Sequence, residues 1–303
     1  MKQALVAIVG RANAGKSSLL NAFLGETVSV VSPVSQTTRR AIRGILTKGE
    51  TQIVFTDTPG IRAATHALGS LLNRTARGLV TGSDLALLVI DGARAPRDED
   101  QGWMTRLARD EVPILAILNK CDLGCEEAKY RAAWDEALAA LRKRDPGLTP
   151  PPVRWCKASA KTGEGVEAVL AACFAAAKDG PGAPYAPDTL TDDPRPFFVA
   201  DVIREKINAR LADELPHACA VETTGIEEDG NEVRVQATIY VEKHSQRPIL
   251  VGHKARMIRA IRRAAEEELE AIYEKPHRLE LWVKVEENWT RNYWLLRRLG
   301  YLN

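Results

Sequence analysis

Near the N-terminus, Gly10-Arg11-Ala12-Asn13-Ala14-Gly15-Lys16-Ser17 has the residue types and spacing of a loop that wraps phosphate. The glycines let the backbone curl with its N–H groups pointing inward at phosphate oxygens, and a following helix adds the positive end of its dipole. In such a loop Lys16 sits over the β and γ phosphates, the Ser17 hydroxyl holds Mg²⁺, and Ser18 continues into the helix. A second group, Asn119-Lys120-Cys121-Asp122, suits a guanine edge. A carboxylate at Asp122 accepts from guanine N1–H and the 2-amino group together, a donor pair that adenine lacks. Asn119 is placed to tie this loop to the first one, and the stem of Lys120 to lie on the base face. Ser159-Ala160-Lys161 then supplies a backbone N–H to guanine O6. Taken alone, Asn-Lys-x-Asp is an ordinary polar loop; at this distance from a phosphate loop it is specific.

Between the two lie groups that can sense the γ-phosphate. Asp57-Thr58-Pro59-Gly60 offers a carboxylate that reaches Mg²⁺ through water and a glycine N–H that meets the γ-phosphate. Ser35-Gln36-Thr37-Thr38-Arg39 offers a hydroxyl that coordinates Mg²⁺ only while that phosphate is present. Thr38 is the expected ligand, with Thr37 next to it.

Strand and helix patterns place these groups. Apolar runs at Ala4–Val9, Gln52–Thr56 and Val112–Leu118 precede the three motifs, so each emerges at the carboxyl end of a strand, where open α/β sheets bind ligands. Further strands are expected near 41–47, 85–91 and 153–157, with helices between most of them. This alternation implies a mainly parallel sheet covered on both faces. Residues 179–187 break the pattern with glycine and proline. Beyond Pro196 the order changes to a helix over 199–211, strands near 218–223 and 233–241, a helical turn at 249–250, a helix over 256–272, a strand over 279–285 and a short last helix.

With GRANAGKSSLLNAFLG, QTTR, DTPG after QIVF, NKCD, SAKTGEG, DVIREK, YVEKHSQRPILVG, LELWVKV and LRRLGYLN in this order, the chain resembles the bacterial Era family of GTPases from about Lys2 to its end. The resemblance implies an α/β P-loop GTPase domain at 1–178, a linker at 179–196 and an α+β type II KH domain at 197–303. It implies GTP and GDP as ligands, Mg²⁺ as cofactor, and Lys16, Thr38, Asp57 and Gly60 around the reacting phosphate. It also implies binding of the 3′ end of 16S rRNA and a role in 30S subunit assembly. Ile61 stands where many small GTPases carry a water-orienting glutamine, which implies slow intrinsic turnover. In relatives of this kind a P-loop asparagine helps hold a monovalent cation; for Asn13, a K⁺ ligand and a brace of the loop stay open as alternatives.

KH domains clamp about four nucleotides with a Gly-x-x-Gly loop. Here it reads Gly252-His253-Lys254-Ala255, so the alanine methyl either obstructs the backbone or meets a loop that has adapted with negative φ. Lys254, Arg256, Arg259, Arg262 and Arg263, with no acid among them, form the electrostatic footprint of a phosphate track. Trp282, Trp289, Tyr293 and Trp294 read as packing residues rather than base-stacking ones.

At 303 residues the length suits two domains, and the net charge of +2 excludes nothing until it is localised. Met1-Lys2 leads straight into a strand, without a signal sequence, and no apolar run reaches the roughly 18 residues of a membrane span. Five cysteines without CxxC spacing suit a reducing cytoplasm, and Cys121 and Cys125 read as loop thiols rather than metal ligands. The expected location is the cytoplasm, with peripheral association at the inner membrane face left open. The alternative function is a signalling GTPase whose C-terminal domain docks on a protein or an acidic membrane surface.

Overall fold

A computed structural model describes residues 1–32, 39–59, 78–211 and 215–302. The chain forms two compact units, one of Met1–Ser29 with Thr38–Asp192 and the other of Val30–Thr37 with Asp193–Asn303.

The first unit is built on β1 (Lys2–Val9), β2 (Ile42–Lys48), β3 (Thr51–Asp57), β4 (Leu85–Asp91), β5 (Ile114–Asn119) and β6 (Val153–Lys157), in the spatial order β2-β3-β1-β4-β5-β6. All neighbouring pairs are parallel except β2 with β3; a two-residue strand β7 (Lys178–Asp179) adds antiparallel to β1. Every residue of β4 and β5 is buried, as expected of Leu/Ile/Val runs covered on both faces. On one face α1 (Lys16–Leu24) and α4 (Val166–Ala175) bring Leu19, Leu20, Phe23, Val169 and Leu170 against Phe55, Leu87 and Ile117. On the other, α2 (Asp98–Leu107) and α3 (Glu127–Arg144) bring Trp103, Met104, Tyr130 and Trp134 against Leu88, Ile90 and Leu118. The strand alternation thus feeds two cores with one sheet.

The residues after the glycine- and proline-rich stretch follow the β2 edge of this unit. Ile45 N donates to Leu190 O at 2.8 Å, Thr191 Oγ1 to Arg43 O at 2.7 Å, and Arg43 pairs with Asp192 at 2.8 Å. The units divide after Asp192.

The second unit contains α5 (Arg195–Arg210), α6 (Leu215–Ala218), β8 (Cys219–Asp229), β9 (Glu232–Val241), α7 (Gln246–Val251), α8 (Arg256–Tyr273), β10 (His277–Val285) and α9 (Tyr293–Arg298). Helix α5 starts four residues before the sequence pattern suggests, because Pro196 lies in its first turn, where a missing N–H removes no helical bond. The sheet order is β10-β9-β8: β8 and β9 form an antiparallel hairpin, while β10 is parallel to β9. A parallel return requires a crossover, and it carries α7 and α8. Val199, Ile203 and Ile207 of α5 and Ile261, Ala265 and Leu269 of α8 close the core over Val233, Val235, Ile239 and Leu279.

Candidate guanine-nucleotide site and RNA-binding loop

Residues 10–17 turn from β1 into α1 by way of left-handed backbone. Gly10 has φ +148° and lies so close to Val89 O that a Cβ would overlap it; Gly15 has φ +95° and lies equally close to the Asn119 side chain. Asn13 also has positive φ, at 62°. The Lys16 side chain is buried, with Nζ donating to Arg11 O at 3.1 Å. Burial lowers its pKa, the Asp57 carboxylate raises it, and Arg11 lowers it again. A buried ammonium held by a single carbonyl among the described residues is well placed to take phosphate oxygens as partners. Ser17 Oγ donates to Asp57 Oδ2 at 2.6 Å, and Ser29 Oγ donates to the same oxygen at 3.3 Å.

Asp57 is fully buried, and burial pushes its pKa up against the opposing pull of Lys16, Ser17, Ser29 and the Thr58 N–H. Its Oδ1 has no hydrogen-bond partner among the described residues. An orphaned, desolvated carboxylate oxygen beside a serine hydroxyl is a hard oxygen donor set that fits Mg²⁺. Thr58 faces elsewhere: its Oγ1 donates to Ile8 O at 2.8 Å, and Pro59 is buried beside it. Thr37, Thr38, Gly60 and Ile61 lie outside the described residues.

The base motif is tied to the phosphate loop by Asn119. Its Nδ2 donates to Ala14 O at 2.9 Å and its Oδ1 accepts from Ala160 N at 3.1 Å, so one side chain joins three loops. Lys120, in a left-handed turn at φ 64°, donates from Nζ to Asn13 O at 2.7 Å. Asp122 is exposed, and its Oδ1 accepts from the buried Ser159 Oγ at 2.6 Å, which fixes the carboxylate while leaving Oδ2 for a ligand. Ala12 and Ser18 line the loop half-buried, and Lys161 is exposed at the edge of the base side.

Sequence reasoning missed Ser29, Asp91, Asp100 and Tyr130. Ser29 is positioned by Asn21, whose Oδ1 accepts from the N–H groups of Val28 and Ser29 at 3.1 and 3.0 Å. Arg11, read only as a P-loop residue, is buried and pairs with Asp91 at 3.3 Å and Asp100 at 3.1 Å. The available signal was an aspartate ending a buried strand, as at Asp57.

In the second unit, Gly252-His253-Lys254-Ala255 joins α7 to α8. Gly252 has φ +73°, and a Cβ there would come within 2.7 Å of Met257 Cβ. Lys254 and Ala255 both adopt left-handed conformations, at φ 48° and 58°. The loop has therefore kept the geometry of a glycine at position 255 rather than adapting with negative φ. His253, Lys254, Arg256, Arg259 and Arg263 are exposed. Arg259 Nη2 donates to Lys254 O at 2.5 Å, while Arg263 pairs with Glu267 at 2.9 Å and Arg262 lies 3.9 Å from Glu266. The charge left for phosphate is concentrated at Lys254, Arg256 and Arg259.

The packing expectation holds for Trp289, which is fully buried with Nε1 donating to Ala218 O at 2.9 Å. It fails for Trp282, Tyr293 and Trp294, which are 49%, 51% and 70% exposed. They lie on the outward side of β10 and on a helix too short to bury all its faces. All five cysteines are free, and no group of three or more metal-ligating side chains occurs among the described residues. No helix among them is long and apolar enough to cross a membrane.

Residues 5–120 match a family model described as 50S ribosome-binding GTPase, and residues 214–290 match a KH domain model. The GTPase Era of Geobacter metallireducens is 37% identical over 303 residues, covering 99% of this chain and 98% of its own. That of Mesorhizobium japonicum is 40% identical over 286 residues, covering 94% and 88%. A crystal structure of Aquifex aeolicus Era bound to GDP·AlF4⁻ superimposes over the whole of both chains with a TM-score of 0.84 at 30% identity. One of Era with MgGDPNP and nucleotides 1506–1542 of 16S ribosomal RNA does so at 0.83 and 30%. A phosphate loop cross-linked to a guanine-reading motif, a KH domain after it and this end-to-end similarity have one common reading: the chain belongs to the Era family of GTPases.

Proposed function

We propose that this protein hydrolyses GTP and, when loaded with GTP, grips the 3′ end of 16S rRNA through its KH domain in support of 30S subunit assembly. The observation that carries the nucleotide half is Asn119, whose side chain joins Ala14 of the phosphate loop to Ala160 of the base loop. The rRNA half rests on the KH fold and on relatives that include an Era bound to that RNA.

In this reading the inward N–H groups of residues 12–18 and the Lys16 ammonium hold the β and γ phosphates, and Asp122 selects guanine. Ser17 and Asp57 hold Mg²⁺, with Thr38 completing the set. Bound there, Mg²⁺ supplies positive charge across the β- and γ-phosphate oxygens. The Ser17 hydroxyl donates to Asp57, which orients its oxygen as a metal donor. Gly60 offers an N–H to the γ-phosphate, and Ile61 orients no water, which makes intrinsic turnover slow. Asn13 is the proposed K⁺ ligand: turnover in potassium should exceed that in sodium, and Asn13→Ala should erase the difference. The RNA track runs over Gly252, His253, Lys254, Ala255, Arg256, Arg259, Arg262 and Arg263. The working location is the cytoplasm, in contact with the 30S subunit.

The test is a titration of an oligonucleotide with the 16S 3′-terminal sequence against the GTP- and GDP-loaded protein. Tighter binding with GTP is expected; no binding in either state removes the RNA assignment. The docking alternative draws on exposed Tyr293 and Trp294, and sedimentation with acidic liposomes at the same salt distinguishes it.

A further inference from the structure

Four buried or half-buried groups meet behind the phosphate loop, two cations and two carboxylates. The Asp91 Oδ2 atom is 3.3 Å from Arg11 Nη2 and 3.0 Å from Lys120 Nζ, so one oxygen holds both the second residue of the P-loop and the base-motif lysine. Arg11 Nε is bound at 3.1 Å by Asp100 Oδ2, and that oxygen also accepts from Arg97 N at 3.1 Å, which pins the start of α2. The Tyr130 hydroxyl donates to Asp91 O at 3.1 Å from α3 and closes the network from the far side. Arg11 in turn offers its carbonyl to Lys16 Nζ, and Lys120 reaches Asn13 O. The carboxylate thus touches the lysine at the base directly and is one residue, Arg11, removed from the phosphate-binding lysine.

We infer that Asp91 is a positioning residue that couples the phosphate half of the site to the base half, by holding Arg11 and Lys120 on one carboxylate oxygen. Four observations carry this. The carboxylate is buried, so its ion pairs with Arg11 and Lys120 are screened little by solvent, whereas a third partner, Arg94, lies farther off at 3.8 Å on an exposed side chain. Its partners come from two loops that no backbone hydrogen bond among the described residues joins directly. Arg11 hydrogen-bonds Asp100 through Nε and faces Asp91 with Nη2 at an ion-pair distance of 3.3 Å, so its guanidinium is held between two carboxylates. Finally, Asp91 ends β4, which lies between β1, leading into the phosphate loop, and β5, leading into the base motif. Neutralising Asp91 leaves Arg11 and Lys120 with one carboxylate between them and frees the loop to change its angle.

The inference rests on the guanine-nucleotide reading, and two probes tell the two apart. One is a fluorescent GDP analogue; the other is inorganic tripolyphosphate, which lacks a base and is measured by competition. Asp91→Asn should weaken both by a similar factor, about tenfold, whereas Asp122→Asn should weaken only the guanine nucleotide. In the steady state Asp91→Asn should raise KM for GTP and leave kcat within about twofold, the split expected of uniform binding. A general loss of structure would not produce that pattern. Arg11→Lys keeps the charge but loses the fork, and should weaken tripolyphosphate in the same direction should Asp91→Asn fail to fold. Loss of guanine nucleotide alone in Asp91→Asn, or unchanged affinity for both probes, overturns the coupling. Wild-type protein that bound neither probe would overturn the nucleotide reading and the inference with it.

Discussion

The loop at residues 10–17 and the loop at residues 252–255 both present backbone to phosphate, yet they depend on glycine for different reasons. In the first, Gly10 and Gly15 combine positive φ with a neighbour that leaves no room for a Cβ, so conformation and space make the same demand. In the second, Gly252 meets both demands through Met257, but position 255 keeps only the conformational one. An alanine can occupy left-handed backbone at a cost of about 1–2 kcal/mol, whereas it cannot share space with another atom. That is why the KH loop retains its shape with Ala255, while the P-loop glycines stand where the pattern requires them. The phosphate loop has its lysine buried and is cross-linked to the base motif; the RNA loop is largely exposed and held by local bonds, Ala255 N to Gly252 O at 3.0 Å and Arg259 to Lys254 O.

This contrast orders the expected effects. The largest belongs to the nucleotide site. Asp122→Asn should cost GTP affinity on the order of a thousandfold or more, because the new amide turns an N–H at guanine's donor pair. It should also gain xanthosine triphosphate, whose 2-oxo group accepts from the new amide. Equilibrium binding of both nucleotides checks it, and retained GTP affinity would break the assignment of Asp122. In the exposed loop, Lys254→Asp should weaken the 16S oligonucleotide by about tenfold at low salt, and the loss should shrink as salt rises. A salt-independent loss would mean that Lys254 shapes the loop rather than meeting phosphate.

The third sharpens the glycine comparison itself. Ala255→Gly should stabilise the KH unit by about 1 kcal/mol, less what the freer unfolded chain returns, and should leave RNA affinity unchanged because the loop already has the glycine geometry. Denaturant unfolding and the same titration report on the two halves of that statement. Tighter RNA binding would show that the methyl obstructs the backbone as well as straining it.

The smallest effect is a pH dependence that the two units should not share. His277 is buried, and burial lowers its pKa from the ordinary 6.5; Arg195 lowers it too, while the Lys275 carbonyl, Glu270 and Glu228 pull the other way. Its Nδ1 lies 2.6 Å from Lys275 O, and Nε2 lies 3.2 Å from Arg195 Nη2. Because Arg195 can only donate, the ring is neutral, with its proton on Nδ1. A base whose folded pKa lies below its unfolded value contributes full stability above about pH 6.5 and loses it as the pH falls toward the folded value. Unfolding of the KH unit should therefore soften below pH 6.5, and His277→Gln should flatten the slope. An unchanged slope would move the origin of the acid sensitivity elsewhere.

The nucleotide site was legible because its chemistry is written locally. Lys16 follows the glycines by one residue, Asp122 follows Asn119 by three, and each run of buried strand points to the loop that follows it. The boundary was less legible: Pro196 reads as linker although it lies within a helix, and residues 190–192 read as linker although they bond to β2. The exposed Trp282, Tyr293 and Trp294 read as core, because periodicity gives which residues share a face but not whether another element covers it.

By itself the sequence determined the two folds, the nucleotide class and the place of the RNA loop, since each is encoded by residues a few positions apart whose geometry the backbone fixes. Only the tertiary structure decided that Asp91, from a different strand, holds Arg11 and Lys120 together, and that Ala255 is kept in the left-handed region. The first depends on where distant segments meet; the second depends on the turn between α7 and α8, closed by Ala255 N on Gly252 O and by Arg259 on Lys254 O, whose hand an alanine before a helix does not announce.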